Sequence, residues 1–126
     1  RVVVPCALEA ALDALCWYPA RFHVDDKLDR TRVVSSITRS TTIVQAVGKS
    51  ILGLSPRESC FVNHRMRLED GYAIISRSVH HPRVAVPPGA TRATLVVAAW
   101  IVMPVSERET AIIYIAAFDP GGVIPM

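Results

Sequence analysis

The chain opens on "RVVV", a short β-type run, and then changes period. In "PCALEAALDALCWY", Leu8, Ala11, Leu12, Leu15 and Cys16 recur at the spacing that lines one side of a helix, with Glu9 and Asp13 on the other. Pro5 suits a first helical turn, where its missing N–H costs nothing, and Pro19 closes the segment. From Thr31 onward the pattern is strand throughout: "TRVVSSITRS", "TTIVQAVGKS", "CFVNHRMRL", "YAIISRSV", "TRATLVVAAWIVMPV" and "TAIIYIAAF" follow one another, rich in Val, Ile and Thr. The breaks are turn-like: "GLSPRE", "EDG", "HPRVAVPPGA", "SERE" and "DPGG". No helix-length segment intervenes, so the strands pair antiparallel in a mostly meandering order, and one helix followed by such a run describes an α+β domain. The chain contains no repeat and no low-complexity segment.

This pattern poses a covering problem. Strands such as "TLVVAA" and "AIIYIAAF" are apolar at nearly every position, so both of their faces call for cover. A helix of about fourteen residues is roughly 20 Å long and cannot cover a sheet of six or seven strands. The remaining apolar surface calls for a second helix, an apolar ligand, or both.

Composition sharpens this picture. At 126 residues the chain is one domain, and with 51% hydrophobic but only 6% aromatic residues its core is aliphatic. The net charge of +3 is mild, and the basic residues are scattered. Alternating Arg65 and Arg67 read as one solvated strand face, or as weak attraction toward an anionic membrane. Nucleic-acid binding is disfavoured, because it needs clustered charge and stacking aromatics. Cys6, Cys16 and Cys60 are an odd set without C-x-x-C spacing, which reads as buried thiols in a reducing compartment. No run reaches the roughly 18 apolar residues of a membrane span, and no signal peptide is evident, so a cytoplasmic location is predicted. A chain that opens on Arg1 rather than Met reads as part of a longer protein.

The candidate chemistry is sparse. Asn63 and Gln45 are lone amides in apolar strands. Each is either a solvent-facing group or an inward one awaiting a partner, because an unpaired buried amide costs roughly 1–3 kcal/mol. Two amides in an aliphatic chamber would suit the hydroxyl, amide or ester of a lipid. His23, His64, His80 and His81 lack metal-ligand spacing, so no metal or other cofactor is predicted. Ser76 or Ser78 with His80 and Asp70 has no G-x-S-x-G elbow, and Cys60 and His64 at i and i+4 of a strand are too far apart to bond. "DPGG" reads as a turn leaving the last strand, since no helix follows it to cradle a phosphate. An enzyme is therefore not the reading these residues favour.

Taken in order, "SPRE", "RLEDG", "RSVHHP", "TRA", "AAW" with Pro104 four residues on, and "DPGGVIP" resemble the motif series of START domains, the lipid-transfer domains related to the steroidogenic acute regulatory protein. Ser55 to Glu58, Arg67 to Gly71, Ser78 to Pro82, Arg92-Ala93, Trp100 and Asp119 to Pro125 carry the match, which runs from about Val2 to the end. The resemblance implies a single partial domain over residues 1–126 with a helix-grip fold: a curved antiparallel sheet around a C-terminal helix, enclosing a hydrophobic tunnel for one lipid. It also implies that "RVVV" is the family's third strand, lying beside the last, and that the first helix, first two strands and gripping helix have no counterpart in this chain.

Two departures stand out: Val24 in "RFHVD" replaces the family's Trp, and Val123 replaces a usual aromatic. Several members carry an arginine or glutamine facing the ligand at the position of Asn63. Gln45 stands near where a sterol-type acid would be, so a neutral amide- or ester-bearing lipid is expected rather than a sterol. Strand alternation then assigns Gln45 and Asn63 to the polar head, and Leu95, Val97, Tyr114 and Phe118 to the chamber wall. The expected role is intracellular lipid transfer by a monomer that touches membranes transiently. The alternatives are a lipid-sensing module of a larger protein, a scaffold whose pocket has closed, and an enzyme acting on a small hydrophobic substrate.

Overall fold

A computed structural model describes residues 1–16 and 28–122. Strand β1 (Val2–Val4) leads into helix α1 (Leu8–Cys16), and then come β2 (Leu28–Ser36), β3 (Thr41–Gly48), β4 (Arg57–Leu68), β5 (Gly71–Ser78), β6 (Thr91–Arg92), β7 (Thr94–Ser106) and β8 (Glu109–Asp119). The strands form one open sheet in the order β1-β8-β7-β5-β4-β3-β2, with the two-residue β6 beside β4. Among the described residues this is one helix on a sheet of eight strands, the α+β arrangement that the hydrophobic periods predict. β1 lies antiparallel beside β8, with Val3 opposite Ala111, so the first strand joins the last.

Several boundaries differ from expectation, among them the start of β4 at Arg57, inside the expected "GLSPRE" turn. The helix begins at Leu8 rather than at Pro5, because the Cys6 N–H turns back to the Val4 carbonyl at 3.0 Å and the first helical bond runs from the Ala11 N–H to Ala7. β2 begins three residues before Thr31, since Leu28 still finds a partner in Gly48 across a bulge. The run from Thr91 to Val105 splits in two. β5 ends at Ser78 opposite Phe61, and Thr91 and Arg92 take its line beside Arg57 and Glu58, in parallel. The Thr91 N–H bonds the Pro56 carbonyl at 2.9 Å and the Ala93 N–H bonds the Glu58 carbonyl at 2.8 Å. The "RFHVD" stretch with Val24, the helix-ending Pro19, His23 and Val123 lie outside the described residues.

The core forms where α1 lies on the sheet. Ala11 and Leu12 pack with Ile74 and Val102, flanked by Leu8, Leu15, Tyr72, Trp100 and Ile112. Because neighbouring strands keep register, the same sheet face carries Asn63 and Phe61 on β4, Ser76 on β5, and Thr42, Val44 and Ala46 on β3. Gly71 starts β5 at a point of close approach: a Cβ there would stand 2.1 Å from the Val102 carbonyl oxygen, so only glycine lets β5 and β7 come together after the "LEDG" turn.

Candidate functional site

The helix-side face of the sheet is apolar along the middle of β7 and β8 and carries a buried polar pair between β4 and β5. There the Ser76 hydroxyl donates to Asn63 Oδ1 at 2.8 Å across the β4–β5 pair, and both residues are buried. The Asn63 NH2 group makes no hydrogen bond among the described residues, so it is available as a donor to a bound guest. Beside this pair, on the same face, Trp100 of β7 stacks on Tyr114 of β8 with ring centroids 4.2 Å apart. Tyr114 and Phe118 are each 51% exposed, a large apolar surface for the inner side of a domain to leave open.

Towards the end of the sheet remote from α1, this face sinks into a hollow of about 400 Å³, within the range of small-molecule sites. Its walls are Leu28, Ala46, Ser59 and Phe118, and it is roofed by Ile51 and Leu54 of the β3–β4 connection. That connection is a tight turn: the Leu54 N–H bonds the Ile51 carbonyl at 2.9 Å, and the Ser50 hydroxyl donates to the Leu54 carbonyl at 2.6 Å. At its tip Leu52 holds φ at 51°, a conformation disfavoured for a residue with a Cβ, and is 96% exposed.

The six residues assigned to the chamber divide between two faces. Asn63, Leu95, Tyr114 and Phe118 lie on the helix-side face, whereas Gln45 and Val97 lie on the far one. For Val97 the cause is a β-bulge. Leu95 pairs with Phe118 and Val97 with Ala117, and because adjacent residues of β8 point to opposite faces, so do Leu95 and Val97. Simple alternation would have kept them together. Gln45 pairs with Cys60 and shares its face. Its amide is spent there: Oε1 accepts from Arg32 Nε at 2.8 Å, and Nε2 donates to Glu58 at 2.6 Å and to the Ala85 carbonyl at 3.1 Å.

Sequence reasoning did not single out Glu58, yet it organises the far face. It is fully buried, and Arg92 grips both of its oxygens, at 2.8 and 2.7 Å. Burial pushes its pKa up, but the hydrogen bonds from Arg92 and Gln45 outweigh that and hold the carboxyl below its ordinary range. Its neighbour Arg57 points the other way, donating to the Pro120 carbonyl at 3.0 Å, to Gly121 O at 3.2 Å and to Ser55 O at 2.7 Å. "SPRE", "TRA" and "DPGG" are thus one lock, closing the sheet end next to the hollow. The sequence offered Glu58 only as the acid of "SPRE", read there as a turn, whereas it lies inside β4.

Among the described residues the candidate nucleophiles are engaged elsewhere: Ser76 donates to Asn63, and the Ser78 hydroxyl accepts from the Leu95 N–H. Burial raises the Cys60 pKa and keeps the thiol neutral, while His64 Nδ1 is engaged by Thr41 Oγ1 at 2.7 Å. Among the described residues no group of three metal-ligating side chains comes together, and no helix is long and apolar enough to cross a membrane.

The family model for the START domain matches residues 3–126. The chain belongs to the START family. Solved START structures share its fold. Human STARD10 superposes with a TM-score of 0.89 at 20% identity, over 96% of this chain and 49% of that one. The human StAR-related lipid transfer protein 5 gives 0.87 at 23% identity, over 98% and 61%. The human StarD13 lipid transfer and protein localization domain gives 0.86 at 22% identity, over 98% and 62%. The chain therefore spans about half to three-fifths of the length of these structures. A search of curated proteins finds no significant match. The residues that carried the resemblance in sequence include those of the lock and of the "LEDG" turn.

Proposed function

We propose that this START domain holds a single lipid on the helix-side face of its sheet and carries it between membranes. The observation that supports this most directly is the apolar hollow of about 400 Å³ next to the exposed rings of Tyr114 and Phe118, with one hydrogen-bonding pair, Asn63 and Ser76, on the same face. Exposing an acyl chain to water costs roughly 0.8 kcal/mol per methylene, on the order of 10 kcal/mol for a chain of ordinary length. A hollow as apolar as the bilayer removes that cost in transit, so exchange of the tails is nearly thermoneutral and selectivity falls to the few polar groups. Asn63 takes the polar head, and its neutral donor suits an ester or amide carbonyl. Leu95, Tyr114 and Phe118 line the tail. Gln45 and Val97 have no part in contact with the lipid: Gln45 serves the Glu58 lock, and Val97 lies on the far face.

Delivery needs a point of membrane contact. The tip of the β3–β4 connection offers it, with Leu52 in water between Ile51 and Leu54 and with Lys49, like those two, lining the hollow. A leucine held exposed there gains by entering a bilayer, and the lysine favours an anionic surface. The decisive experiment is transfer of labelled lipids between donor and acceptor liposomes, with native mass spectrometry of the lipid that co-purifies. Transfer with one bound lipid per chain supports a carrier. A bound lipid without transfer points instead to a lipid-sensing module of a larger protein, and neither lipid nor transfer refutes the reading.

A further inference from the structure

The edge of the sheet farthest from β1 carries a feature that lipid binding leaves unused. β2 ends the strand order, and among the described residues its outer edge has no strand partner. Unpaired N–H and C=O groups on such an edge are a template for another chain unless something guards them. Arg30 and Arg32 stand on this edge strand opposite Val47 and Gln45, which places both on the far face. With Ala85 and Pro87 they surround a second hollow of about 380 Å³, between β2 and the β5–β6 connection.

Neither guanidinium group forms an ion pair among the described residues, although Arg32 feels the charge of Glu58 nearby. Arg32 is held in place by its bonds to Gln45 Oε1 at 2.8 Å and to the Arg83 carbonyl at 3.3 Å, both uncharged acceptors, which leaves Nη1 unspent. Arg30 makes no ion pair or hydrogen bond among the described residues. Glu58, the buried acid beside Gln45, is consumed by Arg92 and Gln45, and exposed Asp29 at the β2 bulge, which precedes Arg30, forms no ion pair among the described residues. A fixed positive pair thus sits beside an open strand edge and an apolar wall. Residues i and i+2 of a strand are about 6.6 Å apart, and the side chains of an added strand repeat at the same interval. A second copy of this chain is a poor occupant, because an antiparallel pairing of two β2 edges centred on Thr31 sets Arg30 against Arg32.

We propose that the β2 edge binds an extended acidic peptide segment of a partner protein, with carboxylates at alternate residues facing Arg30 and Arg32 and its backbone pairing with β2. Affinity would come from the main chain, and selectivity from the charges.

The test uses the full protein and a fluorescein-labelled peptide of alternating Val and Glu, followed by anisotropy at low ionic strength. Control peptides carry Lys for Glu, or the same acids in adjacent positions. The alternating acidic peptide is expected to bind at least tenfold tighter than either control and to protect outward-facing β2 amides from hydrogen exchange. R30E turns one attraction of about 0.7 kcal/mol into a repulsion, so it should weaken binding roughly tenfold, and R30K should restore most of it. Equal binding of the clustered-acid peptide, unchanged affinity in R30E, or absent β2 protection overturns the proposal. So does a protein that ignores the peptide but binds phosphatidylserine vesicles through Arg30, since the patch would then be a membrane contact.

Discussion

Replacing Glu58 by glutamine tests how the family motifs hold the sheet end together. The buried carboxylate accepts three hydrogen bonds, two from Arg92 and one from Gln45, at 2.6 to 2.8 Å. Glutamine keeps the shape but sets an NH2 group against donors and leaves the Arg92 charge without its counter-ion. Removing one partner of a buried pair costs about 3–5 kcal/mol. Arg92 keeps 31% of its side-chain surface in water, so its charge stays partly hydrated and the lower figure applies, about 3 kcal/mol. With an unfolding entropy of about 2.1 cal/mol/K per residue, a chain of 126 residues loses about 11 °C of Tm for that cost.

The pH dependence gives an independent check. Because the folded carboxyl has a lowered pKa, its stabilisation is complete above the ordinary glutamate value of about 4.3 and is lost as pH falls through the lowered folded value. Thermal unfolding followed by circular dichroism at neutral pH and again below about pH 4 should therefore show the gap between wild type and variant closing in acid. A loss of less than about 3 °C at neutral pH, or a gap that does not close in acid, would refute the reasoning.

Asn63→Leu should change the lipid that co-purifies, read by native mass spectrometry, and cost about 1–3 kcal/mol in chemical denaturation because the Ser76 hydroxyl loses its acceptor; an unchanged lipid profile removes Asn63 from the head-binding role. Ala46→Trp fills the hollow from its wall and should lower lipid occupancy severalfold, measured as the lipid-bound fraction; full occupancy would mean the lipid lies elsewhere. Leu52→Asp should slow transfer between liposomes several-fold while leaving the bound lipid in place, and unchanged transfer kinetics would rule out the β3–β4 tip as the membrane contact.

The strands, the helix and their sequence were legible because local physics sets them: a period of two or of 3.6, β-branched runs, and Gly, Pro and Asp at the turns. The excess of apolar positions in "TLVVAA" and "AIIYIAAF" correctly foretold surface that the one described helix leaves uncovered, and Tyr114, Ile115 and Phe118 are indeed exposed. Asn63 was recognisable as an amide out of place. Pairing and facing were less legible. One inserted residue at the β7 bulge reverses the face of everything beyond it, so Leu95 and Val97 part company although two residues separate them. Gln45 and Asn63 look alike in sequence, each a single amide among aliphatics, yet one is saturated by Arg32, Glu58 and a loop carbonyl and the other keeps a free donor.

Sequence alone determined the kind of molecule this is: α+β, antiparallel and aliphatic, with the ordered motifs of the START family. Those properties arise from neighbours along the chain, where a few residues decide the backbone. Only the tertiary structure decided that Glu58, thirty-four residues from Arg92, forms its buried ion pair, and that Arg57 closes on a turn sixty-three residues away. Contacts of that separation depend on strand register and on which face each side chain takes, and no local period encodes either.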